Sequence, residues 1–320
     1  MARDRCGAQI EMWAPAKLNL FLEVLARRPD GFHEVVTLMT GISLYDTLLF
    51  EPNDGGRLDL TVRWAISPSV IRSGGYRDLP PPEDNLVTRA LRLLRGETGC
   101  DRGARVHLVK RIPSEAGLGG GSSDAAAALL AANTAWELGL DDSRLATLAA
   151  RLGSDVPFFL RGGTGVCRGR GEDVEYLNST PRLNCVVVRP PFGLSTAEVY
   201  RRLKVPATDE QVTIPAIFQS SCGASAYAGQ LHNRLQSSAK ISAPELVDVV
   251  RHFDRSTLVD HQLAGSGSSY FGIATGSVQA MAVMRRLQAA RIGQVFRVVT
   301  DCRLKMRYGR GSRFSGDGLA

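Results

Sequence analysis

Residues 113–128 read P-S-E-A-G-L-G-G-G-S-S-D-A-A-A-A and join a glycine-rich turn to an alanine-rich segment. Four of the five positions 117–121 are glycine, and two serines and an aspartate follow them. Glycine accepts positive φ and leaves backbone N–H groups exposed, while the start of a helix carries a partial positive charge. The pattern therefore predicts a phosphate-binding loop at the N-terminus of a helix.

The order of residues in this loop excludes two commoner phosphate loops. No G-K-[ST] ends the run, as a Walker A loop requires, and Ser122 stands where G-x-G-x-x-G needs its third glycine. A structural alternative is a glycine-rich turn that caps a buried helix, with Ser122 or Ser123 as the N-cap. An N-cap needs one permissive residue, and each glycine costs conformational entropy, so four glycines favour a ligand.

Composition indicates a globular protein of one or two domains. The chain has 320 residues, of which 44% are hydrophobic and 22% charged. Its N-terminus has no uninterrupted apolar segment, and nowhere do 18 apolar residues run together. We therefore expect neither a signal peptide nor a membrane span, and a cytoplasmic location.

The cysteines and the net charge limit which kinds of site and ligand the protein can have. The six cysteines form no C-x-x-C pair, which argues against a zinc site and a disulfide framework. The net charge is +7, and the last twenty residues, with five basic and two acidic side chains, carry +3 of it. The remainder is only mildly basic, which suits polyphosphate ligands as well as nucleic acid.

Alternation of residue types predicts a strand over residues 10–24, in which Lys17 and Asn19 share one face and leucines occupy the other. The mixed order of elements indicates an α+β fold rather than a strictly alternating parallel sheet. Further strands are predicted at 34–50, 58–64, 105–112, 184–189, 270–274 and 295–299. Helices are predicted at about 86–94, 123–138, 143–152, 196–203, 228–237, 244–253 and 278–290.

Glycine, proline and serine mark the breaks in this organisation. The stretch Ser67 to Pro82 is predicted to be a surface insertion, and five glycines between 162 and 171 predict a domain border. We expect one lobe over residues 1–170, a second over 171–302, and a basic, disordered tail over 303–320.

Three segments together resemble the motifs of the GHMP small-molecule kinases, a family that phosphorylates hydroxyl groups with ATP. They are A-P-A-K-L-N-L at 14–20, the glycine loop, and L-A-G-S-G-S-S at 263–269. Their order and spacing match over nearly the whole chain. The resemblance implies a two-lobed α+β fold, with a ribosomal-protein-S5-like N-terminal lobe and a ferredoxin-like C-terminal lobe.

A finer resemblance concerns the substrate. The segments R-P-D-G-F-H-E at 28–34, D-N-L-V at 84–87 and G-S-D-V-P-F-F at 153–159 are similar to those of the family branch that acts on a cytidine-diphosphate-linked sugar alcohol in isoprenoid precursor biosynthesis. Homoserine and mevalonate kinases share the glycine loop but lack D-G-[FY]-H. A kinase of the homoserine or mevalonate type, and a non-catalytic nucleotide-binding or RNA-binding relative, are the alternatives.

The resemblance also implies a catalytic pair. Asp155 would act as the base at the acceptor hydroxyl, with Lys17 beside it. Phosphoryl transfer needs a group that takes or orients the hydroxyl proton and cations that offset the developing charge, so both residue types suit the role. In the structural alternative, Asp155 only closes a turn and Lys17 extends along a strand edge.

By the same resemblance, ATP and Mg²⁺ bind at the glycine loop. The implied cofactor-binding residues are Pro113, Gly117, Leu118, Gly119, Gly120, Gly121, Ser122 and Ser123. The N–H groups of residues 119–123 are expected to contact phosphates, and a hydroxyl of Ser122 or Ser123 to reach a phosphate or the metal. Asp124 either lies near the metal or interacts with the helix dipole in the first turn, and the metal ligands stay open.

Substrate-binding residues follow from the finer resemblance. Phe32 and Tyr200 would sandwich a cytosine, His33 would bond its edge, and Thr196 would lie nearby. Asn19 would hold the sugar alcohol or the diphosphate. The turn of Gly265, Ser266 and Gly267 would close over the substrate and phosphates. The alternatives are a packed strand end and an ordinary loop. We expect a small-molecule partner, no nucleic acid or membrane, and a monomer or homodimer.

One segment departs from the family pattern. Residues 233–236 read N-R-L-Q where relatives usually carry N-D-[LF]-E, so Arg234 and Gln236 replace two acidic residues. Asn233 remains a candidate site residue. The departure leaves open a degenerate kinase that binds ATP without transferring phosphate.

Overall fold

The protein is described here by a computed structural model that covers residues 9–65, 79–178, 180–205, 212–219, 222–303 and 305–308. Most of the predicted insertion at Ser67 to Pro82 and residues 309–320 of the predicted tail lie outside these ranges. Among the described residues, no helix is long and apolar enough to cross a membrane. None of the five cysteines within these ranges forms a disulfide, and Cys6 lies outside them.

Strands and helices alternate irregularly along the described chain, as an α+β fold requires. The strands are β1 (Ile10–Arg27), β2 (His33–Asn53), β3 (Leu58–Trp64), β4 (Gly103–Lys110), β5 (Thr164–Arg168), β6 (Asp173–Tyr176), β7 (Asn184–Arg189), β8 (His232–Asn233), β9 (Asp260–Leu263), β10 (Tyr270–Ala274), β11 (Gln294–Val299) and β12 (Lys305–Tyr308). The α-helices are α1 (Leu86–Thr98), α2 (Gly120–Ala135), α3 (Asp142–Leu152), α4 (Val156–Phe159), α5 (Thr196–Arg201), α6 (Gln236–Ser242), α7 (Leu246–Asp254) and α8 (Ser277–Ala289). Two 3₁₀ turns lie at Ala216–Gln219 and Ala224–Tyr227.

The larger sheet forms the first lobe. Its order is β12-β1-β2-β4-β3, with β5 and β6 extending from β2 and the short β8 running parallel to β1. The helix α2 packs against this sheet, and its alanines are buried because small side chains allow helix and sheet to approach closely. Both faces of the middle of β1 are covered, so the polar side chains of Lys17 and Asn19 are buried.

The smaller sheet forms the second lobe, with the antiparallel order β11-β7-β10-β9. Three successive valines of β7 (186–188) are buried, since a strand covered on both faces needs apolar residues on both. Helices α7 and α8 pack on this sheet through Val249, Phe253, Val283 and Leu287. The two lobes confirm the predicted two-lobed α+β architecture.

Three parts of the predicted organisation differ from the structure. The border expected at residue 170 falls inside the hairpin of β5 and β6, which belongs to the larger sheet, so the chain enters the second lobe after Tyr176. The glycines here serve close packing, since a Cβ at Gly165 would lie 3.2 Å from Glu175 O. The predicted tail contains β12, which pairs with the start of β1.

The third difference concerns residues 228–237, where a helix is predicted. The chain instead forms the short strand β8 and begins the helix α6 at Gln236. Asn233 accepts a hydrogen bond from Leu235 N at 2.9 Å and donates to two carbonyls thirty residues away. These contacts fix the segment in a non-helical conformation, because long-range hydrogen bonds override a weak local preference.

Candidate active site

The glycine loop positions the start of α2. Gly119 is its N-cap, in the left-handed region with φ of 71°, and makes no side-chain capping bond. Ser122 and Ser123 lie inside the helix, so the alternative in which one of them is the N-cap is wrong. A Cβ at Gly117, where φ is 72°, would lie 2.0 Å from Ala264 O. Glycine is required there by both the backbone conformation and the close approach.

Backbone hydrogen bonds join the three predicted motifs directly. Lys17 N donates to Leu118 O at 2.9 Å, which ties β1 to the glycine loop. Ser269 N donates to Ala116 O at 3.2 Å, which ties the turn after β9 to the same loop. Segments that lie 101 and 153 residues apart in the chain therefore meet at the glycine loop.

The loop lines a cavity of about 470 Å³ between the lobes. Its first turn exposes Gly119, Gly120, Gly121 and Ser122 to this cavity. The first N–H groups of a helix have no intrahelical carbonyl to bond, so they are available to an anion. Ser123 N instead donates to Gly119 O at 3.0 Å, the Ser123 hydroxyl is buried, and Ser123 does not line this cavity, so its contact with phosphate stays a prediction.

Lys17 and Asp155 meet at the wall of this cavity and are called the cavity pair below. Lys17 Nζ lies 3.5 Å from Asp155 Oδ2, and the two side chains are 6% and 34% exposed. Lys17 also donates to Asn19 Oδ1 at 2.7 Å, and Asn19 donates to Thr37 Oγ1 at 2.8 Å. The lysine is thus held from behind while the carboxylate faces the cavity.

A second lysine with two carboxylates lies behind the loop, and this group is called the buried triad. Lys110 Nζ contacts Asp124 Oδ2 at 2.5 Å and also bonds to Asp46 Oδ2. Asp46 Oδ1 accepts from Ile112 N at 2.9 Å. All three side chains are at most 7% exposed. Burial raises the pKa of Asp124 to about 8, although the charge of Lys110 opposes this rise, and the charge of Asp46 adds to it.

Asp124 therefore does not interact with the helix dipole in the first turn, as one alternative held. It is the fifth residue of α2, and its carboxylate points to Lys110. Its second oxygen, Oδ1, is buried with no hydrogen-bond partner among the described residues, as is Ser123 Oγ. Asp124 and Ser122 line the cavity. Mg²⁺ takes one or two carboxylates together with phosphate oxygens and water, so these oxygen donors fit it.

The aromatic residues predicted to bind a base lie together in a second cavity of about 860 Å³. His33 and Tyr200 have ring centroids 4.9 Å apart, and burial followed by the charge of Arg27 lowers the pKa of His33. Phe32 is 50% exposed, and the guanidinium of Arg170 lies 4.9 Å from its ring centroid. In the structure His33, rather than Phe32, lies against Tyr200.

The two cavities are adjacent, and a hydrogen bond fixes their common wall. Thr196 Oγ1 and Ser266 Oγ are 2.8 Å apart, which joins α5 to the turn after β9. Burial, followed by the charge of Asp155, raises the pKa of Tyr200 to about 12. Gly267 lines neither cavity, because the space beside its Cα is filled by Leu194 and Leu263.

The structure thus places most predicted site residues at the two cavities. The first cavity is lined by Lys17, Asn19, Pro113, Gly117, Leu118, Gly119, Gly120, Gly121, Ser122, Asp155, Gly265 and Ser266. The second is lined by Phe32 and His33, and Asp155, Thr196 and Tyr200 line both. Ser123 and Gly267 lie off the walls.

Amide side chains hold the turn after β9, and of these sequence reasoning had kept only Asn233 as a candidate. Asn233 Nδ2 donates to Leu263 O at 2.9 Å and Gly265 O at 2.8 Å, and Gln236 Oε1 accepts from Leu263 N at 2.9 Å. Gln262 Nε2 donates to Asn19 O at 2.8 Å. The unusual N-R-L-Q segment was the only signal in the sequence.

The two replaced acidic residues each have a structural explanation. Gln236 accepts with a carbonyl oxygen, as a glutamate would with a carboxylate oxygen. Arg234 forms two hydrogen bonds to Glu23, of 2.6 and 2.9 Å, and His232 Nε2 lies 2.8 Å from the same carboxylate. These bonds, with burial opposing them, lower the pKa of Glu23. The segment is therefore built into the interface between β1 and the second lobe.

Comparison with known proteins agrees with this geometry. Residues 85–163 match the family model described as the GHMP kinases N terminal domain. The chain is 43% identical over 277 residues to the 4-diphosphocytidyl-2-C-methyl-D-erythritol kinase of Pelotomaculum thermopropionicum, which covers 85% of this chain and 92% of the relative. The Bacillus subtilis protein of the same name is 37% identical over 268 residues, 81% of this chain and 86% of the relative.

Solved structures give the same result. A crystal structure of 4-(cytidine 5'-diphospho)-2C-methyl-D-erythritol kinase has a TM-score of 0.73 and 34% identity, and covers 91% of this chain and 99% of its own. Homoserine kinase from Cytophaga hutchinsonii has a TM-score of 0.67 at 18% identity, covering 94% of this chain and 98% of its own, and this likeness shows the fold alone.

Proposed function

Because this chain belongs to the family of 4-diphosphocytidyl-2-C-methyl-D-erythritol kinases within the GHMP kinases, it is an ATP-dependent small-molecule kinase, and we propose that it phosphorylates the 2-hydroxyl of 4-diphosphocytidyl-2-C-methyl-D-erythritol. The reaction would belong to the non-mevalonate route to isoprenoid precursors. One observation carries the proposal: the cavity pair lies where the phosphate-loop cavity meets the aromatic cavity.

The glycine loop holds the donor in this proposal. The N–H groups of Gly120, Gly121 and Ser122 bind the phosphates of ATP at the start of α2. Asp124 and Ser122 would hold Mg²⁺, which supplies charge neutralisation on the transferring phosphate. Lys110 sets the position of Asp124 through its 2.5 Å contact.

The cavity pair acts on the acceptor. Asp155 takes or orients the proton of the acceptor hydroxyl, and its 34% exposure leaves the carboxylate accessible from the cavity. Lys17, fixed by Asn19, offsets negative charge on the emerging alkoxide. The turn at Gly265 and Ser266 lines the same cavity next to the loop, where it would place further amides near the substrate.

The aromatic cavity binds the cytosine. Phe32, His33 and Tyr200 supply ring faces for stacking and one ring nitrogen for the edge of the base. Thr196 joins this cavity to the Gly265 turn through Ser266. The base and the acceptor hydroxyl are thereby bound in separate cavities of one site.

A coupled assay of ADP release tests the proposal. We expect ATP-dependent turnover with the cytidyl substrate and none with homoserine or mevalonate. Turnover with homoserine or mevalonate alone would place the chain in another branch of the GHMP kinases. ATP binding without transfer to any of the three acceptors would instead support the degenerate kinase.

A further inference from the structure

Within the described part of the chain, five residues line both cavities. They are Val35, Asp155, Arg170, Thr196 and Tyr200. Arg170 is the only cationic side chain among them. Resting on the proposed function, we propose that Arg170 binds the diphosphate that links the cytidine to the sugar alcohol, and so selects a diphosphate-linked substrate.

The position of Arg170 agrees with this role. Its guanidinium lies 4.9 Å from the centroid of the Phe32 ring, on the wall of the cavity assigned to the base. It also lines the phosphate-loop cavity, into which Asp155 faces. A substrate with its base beside Phe32 and its hydroxyl at Asp155 must place its linking group next to the residues that line both cavities.

Arg170 is held in a defined conformation. Its Nε donates to Glu172 Oε1 at 3.2 Å, its Nη2 donates to Ala150 O at 3.4 Å, and its own backbone N–H donates to Glu172 Oε2 at 2.6 Å. Among the contacts of the described residues, none involves its Nη1. The plane of this guanidinium is fixed, and its Nη1 donors are available. A guanidinium of this kind suits phosphate oxygens, which it binds through two parallel hydrogen bonds.

The other cations of the two cavities are committed elsewhere or lie in one cavity alone. Lys17 bonds to Asn19 and Asp155, and Lys110 bonds to two carboxylates. Arg27 and Arg201 line only the aromatic cavity. The diphosphate carries two or more negative charges, and burying them in the shared wall without a cation would be unfavourable. Arg170 supplies this charge, because its ion pair with Glu172 uses Nε, at 3.2 Å, and leaves the Nη1 donors for the phosphates.

The test separates recognition of the diphosphate from recognition of the base. Binding of CDP and of cytidine is measured by calorimetry for the wild type, Arg170→Gln and Arg170→Lys. We expect Arg170→Gln to weaken CDP binding on the order of 10-fold to 100-fold, as for a lost hydrogen bond to a charged group. Cytidine binding should change less than about twofold. Arg170→Lys should recover part of the CDP affinity, since it keeps the charge.

Kinetics give an independent readout. In Arg170→Gln, the KM for the cytidyl substrate should rise by the same factor as the CDP dissociation constant, while the KM for ATP stays unchanged. Arg201→Gln is the matched control, because it removes the same charge from an exposed position of the aromatic cavity alone. It should affect CDP and cytidine equally and weakly.

The outcomes distinguish this inference from the proposed function. Equal losses for CDP and cytidine in Arg170→Gln, or a CDP-selective loss in Arg201→Gln, would overturn the assignment of Arg170 and leave the kinase activity intact. A wild-type protein that binds neither CDP nor cytidine would overturn the cytidyl substrate, and the assignment of Arg170 with it.

Discussion

The cavity pair and the buried triad each place a lysine and an aspartate on the phosphate-loop cavity, yet their environments differ. The Lys17–Asp155 contact is 3.5 Å and its carboxylate is 34% exposed, whereas Lys110 contacts Asp124 at 2.5 Å and the triad is almost wholly buried. A buried ion pair is stable only when its charges are mutually satisfied. Burial, rather than residue type, therefore separates a carboxylate that is accessible from the cavity from one that is held against a buried lysine.

Removing the lysine of the buried triad should have the largest effect on stability. Lys110→Met leaves the buried carboxylate of Asp46 without its cation, so we expect a loss of about 3–5 kcal/mol in the free energy of unfolding. Urea denaturation followed by fluorescence measures it. Lys17→Met is the matched variant and should cost only about 1 kcal/mol, because the Asp155 carboxylate it leaves is open to water. Equal losses in the two variants would show that burial does not make the buried triad more important for stability than the cavity pair.

Removing the carboxylate of the cavity pair should have the largest effect on rate. We expect Asp155→Asn to lower kcat on the order of 10²-fold or more, the usual scale for a positioned base, with the melting temperature unchanged. Asp173→Asn, an exposed carboxylate of the adjoining hairpin, serves as the control and should retain wild-type kcat. A wild-type kcat in Asp155→Asn would exclude this carboxylate as the base.

The pH dependence of stability should distinguish the triad from the cavity pair. The pKa of Asp124 is about 8 in the folded protein, above its ordinary value of 3.8, so the folded state binds this proton more tightly than the unfolded state. Its contribution to stability is therefore present at low pH and is lost as the pH rises from about 4 to about 8.

Asp124→Asn mimics the protonated carboxyl and should remove this dependence. Between pH 5 and 8 the unfolding free energy of the wild type should fall relative to the variant, by at most about 1.4 kcal/mol per pH unit for one proton. Denaturant midpoints at each pH measure the difference. Parallel profiles would show that the triad takes up no proton on folding.

The amides that hold the Gly265 turn extend the comparison to uncharged groups. Asn233→Ala removes the donor to Leu263 O and Gly265 O, and we expect kcat to fall about tenfold, as for one or two hydrogen bonds. Gln236→Glu keeps the acceptor for Leu263 N and should leave kcat within about twofold. Comparable kcat losses in both variants would mean that side-chain charge here matters more than hydrogen bonding.

Local sequence patterns correctly predicted those features that depend only on residues close together in the chain. Alternation predicted that Lys17 and Asn19 share a face, and their 2.7 Å hydrogen bond confirms it. The strands at 58–64, 184–189 and 270–274 have the predicted bounds. The glycine loop was found from its composition alone, since few structures other than an anion site need four glycines there.

Contacts between distant segments account for what local patterns missed. The hairpin of β5 and β6 was hidden by glycines that allow close strand pairing. Residues 228–237 were predicted as a helix, but Asn233 and Gln236 bond to Leu263 and Gly265, which no local window contains. Arg170 carried no signal, because its importance comes only from lying on the shared wall of two cavities.

The backbone bonds from Lys17 to Leu118 and from Ser269 to Ala116 have a consequence for the order of events during turnover. These bonds connect the glycine loop to β1 of the first lobe and to the turn after β9 of the second lobe. The loop is therefore held in place rather than free to move as a lid. In the proposed function, a nucleotide bound to the loop would lie next to Lys17, whatever acceptor is present. In the proposed function, the choice between acceptors would then be made where the two cavities meet, at Arg170, and at the solvent-exposed Phe32.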